Sequence, residues 1–63
     1  MFIGVISAVK RNKKWMETAA QMPFTKRMKQ LYNYVVAECK KQKVKATENE
    51  LRTMVCIIER SVF

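Results

Sequence analysis

Only two residues in this chain, Gly4 and Pro23, are strong interrupters of regular backbone. An antiparallel β domain needs a turn about every eight to twelve residues, and those turns draw on Gly, Pro, Asn and Asp. This sequence has one Gly, one Pro and no Asp. The chain is therefore expected to be all-α: a small three-helix domain with a C-terminal antiparallel helical hairpin. Its 63 residues suit a single helical domain, 1–63. A chain of this size buries only about 60% of its unfolded surface, so a second copy or a partner would add to a thin core. The apolar share of 49% argues against a disordered tail.

The first helix is expected over about 2–21. Phe2, Val5, Ile6, Val9, Met16 and Ala20 fall near one face at 3.6 residues per turn. Lys13 lands inside that stripe. Either its stem snorkels, or the helix breaks at "RNKK" with Asn12 capping a second piece. One continuous helix is the expectation. Gly4 inside it would cost about 1 kcal/mol relative to Ala.

"MPFT" ends the first helix and opens the second, expected over 23–41, because Pro23 disfavours helix at Met22 and suits a first turn. Its stripe is Phe24, Met28, Leu31, Tyr32, Val35 and Cys39. "ATENEL" then carries a capping box, Thr47 with Glu50, and a hydrophobic staple, Ala46 with Leu51. Glu48 and Arg52 form an i,i+4 pair in the favourable order. The third helix is expected over 48–62, with Leu51, Met54, Val55, Ile58 and Val62 inward. The short connection makes the last two helices antiparallel neighbours, with Cys39 near Leu51, Val35 near Val55, Tyr32 near Ile58 and Met28 near Val62. Val44 plugs the end of the hairpin. That register holds Cys39 and Cys56 several turns apart, so no disulfide is expected.

The chain has no His and no Asp, which excludes a conventional catalytic triad and a histidine-ligated metal site. It has no phosphate-cradling glycine loop and no zinc-finger spacing. The expectation is no enzyme, no cofactor and no metal. The net charge of +8 favours an anionic partner, with nucleic acid first and an anionic membrane surface after it. The rival is a protein-interaction or oligomerisation module whose charge serves solubility, and a membrane-surface role comes third.

Candidate nucleic-acid contacts fall in three groups. Arg27, Tyr34 and Lys41 recur every seven residues along the second helix, where Tyr34 could stack on a base between cations; the competing reading packs Tyr34 on the first helix. The run "KKQKVK" supplies Lys40, Lys41, Lys43 and Lys45, which also serve as a solvated turn and a cationic helix end. The run "KRNKKW" supplies Lys10, Arg11, Lys13 and Lys14 beside Trp15, and it also fits a helix lying on an anionic membrane. Cys56 and Phe63 lie off the core face, and the expected assembly is a homodimer through them. "MFIGVISAV" is shorter than the roughly 18 residues of a membrane span and precedes its positive charges, the reverse of a signal peptide. The expected location is cytoplasmic, with reduced thiols.

The segment "YVVAECKKQKVKATENELRTMVCIIERSV" resembles the helix–loop–helix segment of LLH-type phage holin proteins. In that pattern a helix with a Tyr-Val step reaches a lysine-rich end, followed by a short loop, an acidic helix start and an Ile-Glu-x-x-Val ending. The matching positions are Tyr34, Val35, Lys40, Lys41, Val44, Glu48, Glu50, Leu51, Ile58, Glu59 and Val62. The resemblance implies a phage or mobile-element origin. Such holins carry an N-terminal membrane span that this sequence does not show, so the resemblance carries over no lytic activity and no active residue.

Overall fold

The structure is a computed structural model and describes residues 2–63. It is all-α, with four helices and, among the described residues, no strand: α1 (Ile3–Arg11), α2 (Lys13–Ala20), α3 (Phe24–Lys41) and α4 (Glu48–Val62). None of them is long and apolar enough to cross a membrane.

The first helix expected over 2–21 is two helices. The break falls at Asn12, which leaves helical geometry at φ −80°, ψ 77°. Its side-chain Oδ1 accepts from the Trp15 amide at 3.1 Å, capping α2. The reason is the position of Lys13. A continuous helix would carry it one turn beyond Val9, into the core, where an unpaired ammonium costs several kcal/mol. The break turns Lys13 to solvent and shifts the helical phase of the residues after it. Met16 and Ala19 are buried, while the expected Ala20 is exposed.

α3 begins at Phe24, one residue later than expected, with Pro23 just outside it at φ −56°, ψ 150°. The helix ends in a Schellman motif. The Val44 amide donates to the Cys39 carbonyl at 2.8 Å and the Lys43 amide to that of Lys40 at 3.2 Å. Lys43 takes the left-handed conformation, φ 57°, where glycine is the usual residue. Val44 then folds against the core. α4 opens on the capping box: Thr47 Oγ1 accepts from the Glu50 amide at 3.2 Å, and the Thr47 amide donates to Glu50 Oε1 at 2.8 Å. Ala46 and Leu51, the staple, both pack on the core, and Arg52 reaches Glu48 at 2.7 Å.

One core joins the helices: Val5 and Val9 of α1, Met16 of α2, Leu31, Val35 and Cys39 of α3, and Met54, Val55 and Ile58 of α4. Full burial of each large aliphatic side chain contributes about 1.5–3 kcal/mol. Arg27, near the start of α3, meets Glu59, near the end of α4, so these two helices run in opposite directions. Phe24 and Val62, both expected inside, are exposed at 61% and 38%. The Arg27–Glu59 pair closes this end of the two helices and sets Val62 level with Phe24 at their open end. At the other end, Gln42 Nε2 donates to the Gly4 carbonyl at 3.2 Å and ties the start of α1 to the end of α3.

Candidate functional site

The cations proposed from sequence fall into two separate surface clusters. The first is an elbow at the α1–α2 break: Lys10 and Arg11 close α1, and Lys13 and Lys14 open α2. All four are exposed. Among the described residues no carboxylate lies within ion-pair distance of any of them. Lys13 and Lys14 stand at the N-terminal, positive end of α2, whose first turn has no acidic residue. Cations there oppose the helix macrodipole, at about 0.3–1 kcal/mol each.

The second cluster is the α3–α4 turn. Lys40 and Lys41 occupy the last turn of α3, where the macrodipole favours them. Lys43 holds the left-handed position and Lys45 lies in the extended run before the cap. All four are exposed. Because Gly4 contacts Gln42, the turn lies at the start of α1 and the elbow at its end. At 1.5 Å per residue, that is roughly 10 Å of helix, comparable with the Debye length at physiological salt. Each cluster therefore acts on small ions as its own patch, and a ligand longer than this spans both.

The heptad trio does not form one open face. Arg27 is not a free phosphate ligand: its side chain is only 14% exposed. Its Nε donates to Glu59 Oε2 at 3.0 Å, its Nη2 to Glu59 Oε1, and its Nη1 to the Met22 carbonyl at 3.3 Å. The guanidinium lies 4.7 Å from the Phe63 ring centre and 5.6 Å from that of Phe24. Hydrogen bonding to Glu59 raises its pKa above the ordinary arginine value, against the opposing effect of desolvation. Tyr34 is half-buried and set edge-on to Trp15, with ring centres 4.8 Å apart at 78°. Its hydroxyl accepts from Asn12 Nδ2 at 2.9 Å. Arg27 thus fastens α3 to α4, and Tyr34 fastens α3 to the elbow. Only Lys41 of the trio is unengaged.

Phe63, expected at an oligomer interface, lays its ring on Arg27 and is 39% exposed. Cys56 is exposed and free. Cys39 is buried; desolvation first, and the Glu38 charge second, raise its thiol above the ordinary range, so it stays protonated and unreactive. Among the described residues no group of three His, Cys, Asp or Glu side chains is placed to hold a metal.

Sequence reasoning missed Glu59 as the partner of Arg27. The expected register, with Met28 against Val62 and Tyr32 against Ile58, sets Glu59 opposite Leu31; the observed pairing with Arg27 lies one helical turn away, so the contact did not follow from that register. It also missed Gln42, whose amide donates to Glu38 and to the Gly4 carbonyl. No local pattern marks that contact, because its partners are 38 residues apart.

No protein-family model, curated protein or solved structure matches this chain. The geometry alone defines the class: an all-α protein with eight exposed cations gathered at one helix break and one helix turn, and Lys26, Lys29, Arg52 and Arg60 exposed elsewhere.

Proposed function

We propose that the protein is a non-catalytic basic binding protein that holds nucleic acid through its phosphates, and that it derives from a phage or mobile element, as the resemblance of its α3–α4 segment to LLH-type holins implies. One observation carries the phosphate reading. The elbow holds Lys10, Arg11, Lys13 and Lys14 within five consecutive residues, unpaired, two of them at a helix end that disfavours cations. Two cations at the N-terminus of a helix, where the macrodipole opposes them, mark a surface kept for something other than stability. Lysines recognise phosphate as point charges without reading bases. The exposed face of α4, with Arg52 paired to Glu48 and with Thr53, Cys56 and Arg60, offers few base-reading side chains.

Trp15 is the only tryptophan and stands next to Lys14, so its fluorescence reports on the elbow. Titration with a mixed-sequence oligonucleotide should change that emission, with affinity falling steeply as salt rises. Replacing Lys10 and Lys13 by Gln should reduce the log–log salt slope by about 0.7–0.9 per lost phosphate contact. Arg27→Gln should leave the slope unchanged, because that guanidinium is held by Glu59. Absence of salt-sensitive binding to both DNA and RNA at micromolar protein defeats the proposal.

A further inference from the structure

An apolar groove of about 220 Å³ runs between α1 and α4, over Phe2, Ile6, Met54 and Ile57. Past Ile57 the same face opens onto Ile3, Lys10, Arg11 and Lys13. Ile3 is 71% exposed and Ile57 38%, so apolar surface flanks the groove with nothing from the described chain to cover it. The three cations stand at one end only. The acid lining the opposite end, Glu50, is engaged in the capping box.

We propose that this groove takes the apolar face of an acidic amphipathic helix belonging to a protein partner. Three observations select that occupant. The surface is concave, and a cavity of about 150 Å³ already admits a benzene-sized group; this suits a projecting aliphatic side chain better than the flat boundary of a bilayer. Within the groove's own lining the cations stand at the elbow end and Glu50 at the other, and the turn lysines beyond the start of α1 line neither part. A carboxylate in contact with the lining is therefore favoured at the elbow, which gives the occupant a direction. The spacing is helical: Lys10 lies one turn beyond Ile6 on α1 and two beyond Ile3, so the carboxylates stand about one to two turns from the apolar anchors. The negative end of the occupant's own macrodipole adds to the attraction when its C-terminus points at the elbow. The groove takes no part in the phosphate reading, and this inference stands if that reading fails. The elbow cations are common to both, so nucleic acid and the acidic helix compete there.

The probe is a labelled synthetic helical peptide. It carries leucines at i and i+4, glutamates at i+8 and i+11 and an amidated C-terminus; a scrambled peptide of the same composition is the control. Fluorescence anisotropy without nucleic acid should show binding of the first and not the second. Isoleucine methyl resonances of Ile6 and Ile57 should shift. Ile57→Glu should weaken binding roughly tenfold or more, through loss of apolar burial. Lys10→Glu with Lys13→Glu should weaken it about two- to fivefold per pair, and a peptide with lysines in place of its glutamates should recover the loss. Circular dichroism checks each fold. Ile3→Glu, at the most exposed position, replaces Ile57→Glu if that variant unfolds. Equal binding of the scrambled peptide overturns the proposal, as does unchanged affinity in the groove variants. No peptide binding at high micromolar concentration overturns it too, whether the groove then binds phosphatidylglycerol vesicles, a second copy of the chain or nothing.

Discussion

The elbow at Asn12 and the turn at Lys43 have nearly the same composition and opposite local energetics. Each joins two helices and each carries four exposed cations. At the turn, Lys40 and Lys41 sit where the end of α3 is negative, and the next helix opens with Glu48 and Glu50. At the elbow, Lys10 and Arg11 suit the end of α1, but Lys13 and Lys14 begin α2 with no acid in its first turn, Glu17 standing one turn on and beyond ion-pair distance. The turn satisfies its backbone by main-chain bonds and a capping box. The elbow relies on one side chain, Asn12, for both its cap and its tie to Tyr34. Equal charge therefore says little about cost. A lysine run at a helix C-terminus explains itself, whereas the same residues at an N-terminus call for a further cause.

Asn12→Ala is the largest expected break in this comparison. It removes the α2 cap and the tie to Tyr34 together and should destabilise the fold by about 1–2 kcal/mol. Thr47→Ala should cost about 1 kcal/mol, because Ala46 and Leu51 still staple α4. Denaturant unfolding of the two variants compares them directly, and a greater loss in Thr47→Ala would reverse the ranking of the two junctions.

Lys43→Gly tests the one strained place in the turn. A left-handed side chain costs about 1–2 kcal/mol, part of which glycine gives back through the unfolded chain. The expected net gain is about 0.5–1 kcal/mol, read as a higher melting temperature. A lower melting temperature would mean that the Lys43 side chain contributes something its exposed position does not reveal.

Charge reversal gives the smallest effects and the clearest opposition of sign. Lys13→Glu or Lys14→Glu should stabilise the protein by about 0.3–1 kcal/mol, and Lys40→Glu or Lys41→Glu should destabilise it by a similar amount. Both effects should fade in 1 M salt, where the Debye length is about 3 Å. Changes of the same sign at both sites would show that overall charge, not helix polarity, governs stability here.

Much of the fold was legible because its signals are local. The shortage of Gly and Pro set the helical class, Pro23 marked a boundary, and Thr47 with Glu50 placed the start of α4 through bonds spanning three residues. The stripe Leu31, Val35 and Cys39 and the stripe Met54, Val55 and Ile58 were readable for the same reason: a helix maps sequence spacing directly onto a face. The site was less legible. Lys10, Arg11, Lys13 and Lys14 were visible as a run, but their position at an elbow depends on where Lys13 would otherwise have been buried. That is a property of the assembled core. Arg27 and Tyr34 shared a heptad face with Lys41, yet Glu59 and Asn12, brought in from 32 and 22 residues away, assigned them to holding helices together. Local hydrogen bonding and periodicity act along the chain and can be read from it. Desolvation and pairing act through space, so only the tertiary structure decided which cations remain free to meet a partner.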